Sequence, residues 1–288
     1  MAFAQVFSGA ACNRIPFAPP GLIALNGQGY RPKPGRCMFE LNLMFFVVAI
    51  PAVIFAGISK GGFGSGVAFA SSSILALILE PGQALALMLP ILMVIDVATL
   101  GPYWKRWSWP DSRLLILGAV PGVALGAWLY RATDDDLLRL LIGGISIGFV
   151  VWHVSQSKGW VRGFTNRLPA PAGLFAGLVA GFTSFVSHAG GPPAAVYLLS
   201  QRLSKTEFQA STVLAFWVIN ITKFVPYAYL GLFTWHTAWA DLLLTPFAIL
   251  GAWLGVRAHF MLSERLFFGI AYVLLTLTGS KLIWDALT

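Results

Sequence analysis

Ten apolar stretches follow one another between residues 41 and 284 with only short polar punctuation: 41–59, 63–79, 83–104, 113–131, 137–154, 170–187, 191–201, 208–230, 238–257 and 265–284. A helix needs about 20 apolar residues to cross the hydrocarbon core of a bilayer, and most of these stretches approach that length. None alternates apolar and polar residues as a barrel strand would. Charged residues make up 10% of the 288, against roughly 25% in soluble domains, too few to cover a soluble surface. Disorder, a coiled coil and a disulfide scaffold are excluded by the same composition, 57% hydrophobic with 22 Phe and 11 Trp. The expected fold is all-α, a polytopic helical membrane protein with the lipid bilayer as its surroundings and no room for a separate soluble domain.

The net charge of +8 would point to nucleic acid in a soluble protein. Here the cations sit between apolar stretches, where they set membrane orientation, and no nucleic-acid partner is expected. Cys12 and Cys37 both precede the first long stretch and lack metal-site spacing.

Two stretches are interrupted. The second opens with Gly61-Gly62-Phe63-Gly64-Ser65-Gly66, and the seventh, too short to cross alone, follows Gly190-Gly191-Pro192-Pro193. Such runs free backbone polar groups, which hydrocarbon does not tolerate unless they are packed in protein or line a wet cavity. Both are therefore expected to be broken or re-entrant helices. An internal repeat connects them. Leu125-Gly126-Ala127-Trp128-Leu129 recurs as Leu250-Gly251-Ala252-Trp253-Leu254, an offset of 125. Val94-Ile95-Asp96 matches Val218-Ile219-Asn220 and Pro102-Tyr103 matches Pro226-Tyr227 at 124, while Gly61-Gly62 falls opposite Gly190-Gly191 at 129. Ordered matches at nearly one offset indicate duplication. The expected organisation is an N-terminal extension (1–37), a first repeat (38–154), a cytoplasmic linker (155–169) and a second repeat (170–288), each repeat with about five segments.

An odd number of segments per repeat turns the second copy upside down, and the loops carry the charge pattern this requires. Lys105, Arg106 and Arg113 have a counterpart loop, 228–237, without Lys or Arg. Asp134, Asp135 and Asp136 correspond to a turn with Arg257 and Arg265. Alternation places Lys105, Arg106, Arg113, Lys158, Arg162, Arg167, Arg202, Lys205, Arg257 and Arg265 on the cytoplasmic side, with Arg131, Arg139 and Lys281 opposite. Both termini then face away from the cytoplasm. Arg14, Arg31, Lys33 and Arg36 oppose that arrangement, so translation is expected to begin at Met38.

Inverted repeats with broken helices place substrate between the halves, and freed N–H groups at a helix start favour an anion. The residues around the two breaks are Ser59, Lys60, Gly61, Gly62 and Ser65 in the first half, and Thr183, Ser184, Ser187, His188, Gly190 and Gly191 in the second. Against this stands close helix packing, a common use of small residues in membranes. Asp96, Asn220 and Lys223 lie inside apolar segments, where ionisable groups are costly and often functional. Lys223 could attract an anion, Asp96 and His188 are candidates for carrying a proton, and an Asp96–Lys223 ion pair is the structural alternative. For Lys60 the alternative is a side chain that snorkels to the interface. Tyr103 and Tyr227 are explained by interface anchoring. No HExxH, GxSxG or Walker loop and no Cys/His cluster occurs, so neither an enzyme nor an ATP-driven pump is expected, and no cofactor or metal.

Gly57-Ile58-Ser59-Lys60-Gly61-Gly62-Phe63-Gly64, with Ala180-Gly181-Phe182-Thr183-Ser184 running into His188-Ala189-Gly190-Gly191-Pro192-Pro193, resembles the sulfite exporter (TauE/SafE-type) family. The similarity extends over 38–288, including Lys205-Thr206 through Pro226-Tyr227 and Gly231. Ser65 and Ser71-Ser72-Ser73 depart from the family's pattern. The resemblance implies an inner-membrane permease for a small sulfur-containing anion such as sulfite or an organosulfonate, working by alternating access. A transporter or channel for another small anion or metabolite remains open, as do a membrane-embedded sulfur-handling subunit and homo-oligomerisation.

Overall fold

In hydrocarbon, a helix is the backbone that satisfies its own N–H and C=O groups within one segment. The computed structural model describes residues 40–63, 67–160, 166–258 and 264–288, in ten helices and without a strand. They are α1 (Leu43–Gly62), α2 (Ala70–Leu75), α3 (Pro81–Leu100), α4 (Trp109–Ala132), α5 (Asp135–Ser157), α6 (Ala170–Ser187), α7 (Gly191–Ser200), α8 (Lys205–Tyr229), α9 (Trp235–Ala258) and α10 (Glu264–Leu287). Eight are long and apolar enough to cross a membrane. The chain is a polytopic helical membrane protein. The N-terminal extension, the start at Met38 and Ser65 lie outside the described residues.

Local chemistry sets the helix starts. Asn42 and Asp134 each accept a backbone N–H with their side chains, and Ser204 with Glu207 closes a capping box on α8. The two short helices, α2 and α7, belong to the interrupted stretches, and both turn back. Ser200, the last residue of α7, and Gln201 after it bond to Leu168, ahead of α6, with Gln201 Nε2 donating to the Leu168 carbonyl at 3.0 Å. On the other hairpin, the Ser71 hydroxyl of α2 donates to the Ala52 carbonyl of α1 at 2.6 Å, and Leu79 shares a core cluster with Phe45. Each hairpin thus returns to the end of the bundle it entered from. The described residues flanking each tip are buried, Gly61 and Gly62 in one and Ser187 and His188 in the other.

The most extensive helix pairs join the two sequence halves, α4 with α6 and α1 with α9. Both are parallel. Gly118, Gly122 and Gly126 lie successively on Leu174, Leu178 and Phe185, while Gly251 and Gly255 lie on Ile54 and Ile58. These contacts are backbone against backbone: a Cβ on Gly251 would sit 2.6 Å from the Ile54 carbonyl oxygen. By contrast, α3 crosses α8 antiparallel, Asp96 meeting Asn220 while Tyr103 packs near Ala210 and Val213. The pair α5 and α10 is also antiparallel, with Gly143 on Gly279 and His153 stacked on Phe268. Exchanging the halves leaves this set of pairs unchanged.

The repeated pentapeptides do the same work in both halves. Trp128 and Trp253 point outward, whereas Gly126 and Gly251 face the parallel partner helix. Leu117, Val151, Leu242, Val273 and Leu277 are exposed too. So broad an apolar exterior suits lipid and would not suit water.

Candidate functional site

The two hairpin tips meet at the centre of the bundle. Ser72 of α2 donates to the Ser187 carbonyl at the end of α6, 3.1 Å away. Val67 and Phe69 share a cluster with Ala189 and Phe149. Sequence reasoning treated the three serines of α2 only as a departure from a pattern. Ser71 and Ser72 bind the carbonyls just described, and Ser73 lies 3.2 Å from the Ser146 hydroxyl.

Two polar clusters flank the tips. In the first, Lys60 forms an ion pair with Asp96, and Asn220 Nδ2 donates to the other Asp96 oxygen at 2.6 Å. Lys60 also lies over the Phe216 ring, 5.9 Å from its centre. The cluster is sealed: Asp96 is 0% exposed, Lys60 and Asn220 2%. Lys60 therefore does not snorkel. It ends a helix whose C-terminus is buried, so no interface lies within its reach. Nor does Asp96 pair with Lys223, because Lys60 from α1 takes that place.

In the second cluster Lys223 Nζ donates to the Ser184 carbonyl (3.1 Å) and lies 3.0 Å from Ser184 Oγ and 2.9 Å from His188 Nδ1. The opposite ring nitrogen, Nε2, faces the Leu85 carbonyl at 3.1 Å. His188 holds this position by capping α6 in the left-handed region, φ 58°, with its own N–H and that of Ala189 returned to Ser184 and Thr183. A non-glycine residue in that region costs roughly 1–2 kcal/mol, a cost met here by two side-chain bonds that glycine could not make.

Tyr103 and Tyr227 are not interface anchors. Both are buried, Tyr103 donating to the Gly61 carbonyl (2.8 Å) and Tyr227 to the Phe185 carbonyl (2.6 Å). Final-turn carbonyls of a helix have no partner within it, and the repeated Pro-Tyr dipeptides supply one to α1 and to α6. Gln209, which sequence reasoning did not single out, likewise donates to the Lys60 carbonyl at 2.6 Å.

A cavity of about 480 Å³ adjoins the tips, at the end of the bundle that holds the α3–α4 and α7–α8 turns. Gly62, Gly191, Gln209 and Thr212 form its polar wall, and Phe149, Trp152, His153 and Phe268 its aromatic one. Of the expected site residues, Gly62 and Gly191 line it. Thr183 lines a second hollow of about 330 Å³ between α5 and the α6–α7 hairpin. Lys60, Asp96, Asn220, Lys223, Ser184 and His188 are buried and do not line the larger cavity. Ser59 is buried and engaged, and the Ser187 hydroxyl donates to the Thr183 carbonyl.

The glycines themselves are packing residues. A Cβ on Gly61 would lie 2.6 Å from the Ala252 carbonyl oxygen, and one on Gly190 2.6 Å from that of Ala180. Freed amides are also fewer than the glycine run promised, since Pro192 and Pro193 in the first turn of α7 carry no N–H. The structure sets a buried lysine on either side of the tips, Lys60 and Lys223, more than a row of free amides. Among the described residues no group of His, Cys, Asp and Glu is arranged to hold a metal ion.

The family model described as sulfite exporter TauE/SafE matches residues 49–282, from the first helix to the last. The chain belongs to that family. No curated protein and no solved structure matches it. TauE/SafE membership makes it a membrane permease by family, and the matched range contains both hairpins and both polar clusters.

Proposed function

We propose that this TauE/SafE-family chain, built of two inverted repeats, is a secondary transporter for a small sulfur-containing anion, sulfite or an organosulfonate, working by alternating access. The observation that carries the reading is the meeting of two buried hairpin tips, each beside a buried lysine, at the head of a cavity open towards one end of the bundle. The inversion is supported by the pairing of helices, parallel for α1 with α9 and antiparallel for α3 with α8. In this reading the bundle sits in the inner membrane, the cavity opens to the cytoplasm and both termini lie opposite.

The bodies that move are not the sequence halves. Backbone contact fixes α1 to α9 and α4 to α6, so each body mixes one helix from either half. The cavity then closes by displacement of these pairs about the α3–α8 crossing. The test is flux of radiolabelled sulfite and of a panel of sulfonates into proteoliposomes holding the purified chain. Saturable uptake of at least one, competed by the unlabelled anion, is expected. Uptake no faster than in protein-free vesicles for the whole panel overturns the reading, and saturable uptake confined to another anion redirects it to that substrate.

A further inference from the structure

We propose that Lys223 and His188 share one proton whose binding is linked to that of the anion, so that anion and proton move together; this rests on the transport reading above. The two lysines at the hairpin tips differ in one respect. Lys60 has a carboxylate, Asp96. Among the described residues, the partners of Lys223, 0% exposed, are neutral: the Ser184 carbonyl, the Ser184 hydroxyl and His188 Nδ1. The charged groups whose fields reach it are Lys60 and Asp96, already paired with each other. The other titratable groups nearby are Tyr227, one turn along α8 and bonded to Phe185, and Tyr130 of α4, which packs on Phe185. None is a base placed to balance an ammonium. With Lys223 charged the centre carries a net positive charge in a sealed interior, a costly state without a counter-ion.

Bond donors and acceptors allow that proton to move without rearrangement. Leu85 offers a carbonyl, which only accepts, so His188 Nε2 carries a hydrogen and Nδ1 turns its lone pair to Lys223. An ammonium at Nζ then donates to all three of its partners. If the proton passes to Nδ1, the imidazolium donates to Nζ and to Leu85, and the neutral amine keeps its two hydrogens on Ser184. If it leaves the pair altogether, both groups are neutral and the centre is balanced by Lys60 and Asp96 alone. Gly191, which lines the cavity, follows His188 by three residues, and Gln209 bridges the cavity wall to the Lys60 carbonyl. An anion in that cavity supplies the missing counter-charge. Linkage is reciprocal: the anion holds the proton on, and the proton holds the anion.

The experiment uses the full chain in proteoliposomes with methanesulfonate, a permanent monoanion, and sulfite as probes. Two readouts are taken: exchange of labelled for unlabelled anion without a pH gradient, and accumulation under an alkaline lumen with a lumenal pH dye. For a one-to-one electroneutral process, each pH unit supports up to about tenfold accumulation, with lumenal acidification. In Lys223→Arg, whose guanidinium cannot release its proton, exchange is detectable but accumulation falls to the level without a gradient. His188→Asn, whose Oδ1 takes the place of Nδ1 and can accept from Nζ but cannot take up the proton, is the second variant, and it lowers accumulation relative to exchange. Thermal unfolding in detergent verifies that each variant folds. Exchange in the wild type with no gradient-driven accumulation overturns the proton link and leaves the transport reading standing. Tenfold accumulation by Lys223→Arg overturns the assignment to this pair. Absence of exchange in the wild type for sulfite and for every sulfonate of the panel removes the proposal together with the sulfur-anion reading beneath it.

Discussion

Where α3 crosses α8, a lysine, an aspartate and an asparagine are closed off from solvent, and Lys60 and Asp96 form a fully buried ion pair there. Removing one partner of such a pair strands the other, whereas removing both replaces a polar site with a greasy one. Lys60→Met and Asp96→Leu are each expected to lower stability by about 3–5 kcal/mol, and the double variant to recover most of that loss in unfolding measured in detergent micelles. A double variant whose loss equals the sum of the singles would show that the pair is not coupled. Asp96, Asn220 and Lys223 were conspicuous in the sequence because a polar residue in an apolar stretch is conspicuous. Which cation Asp96 takes was not legible, since it depends on where the buried end of α1 stops against α3, and no spacing along the chain encodes that. Tyr103 and Tyr227 show the same limit: the Pro-Tyr match was visible, but their acceptors belong to helices far away in sequence.

The helix pairs explain why glycine is so frequent here. Along α1 and α9, and along α4 and α6, it is a spacer that lets backbones touch. Gly61→Ala is expected to cost about 1–3 kcal/mol through overpacking. Gly144→Ala, on α5 with open space around it, should instead gain about 0.5–1 kcal/mol from helix propensity. Thermal unfolding of the two variants side by side checks the contrast, and equal shifts would show that the α1–α9 contact is looser than described. The helices themselves were nearly all legible, because hydrocarbon length dictates them. Even the shortness of α7 was, through Pro192 and Pro193. The sequence could not separate glycines that break a helix from those that pack one, since Gly61 and Gly62, read as part of a break, close the last turn of α1.

At the scale of the whole chain, the hairpins decide which turns share an end of the bundle. Arg106, Lys158 and Arg202 lie at one end, Asp134 and Thr234 at the other. With Cys12 and Cys37 replaced by serine, single cysteines at the first three positions should label from one face of oriented vesicles, and at the last two from the opposite face. Labelling of position 202 together with 134 would refute the return of α7. This alternation was legible in the placement of lysine and arginine, whereas the parallel pairing of α1 with α9 was not, because lipid-facing and helix-facing apolar residues read alike. That pairing has a consequence for how the protein is made. Between the end of α1 at residue 62 and the start of α9 at residue 235, synthesis at about 5–20 residues per second takes roughly 10–35 s. Throughout that interval α1 stands in the bilayer without the surface it was shaped for. A ribosome that stalls before α9 leaves α1 with α2 folded back on it but without its most extensive partner, so the first half is completed only once most of the second has been made.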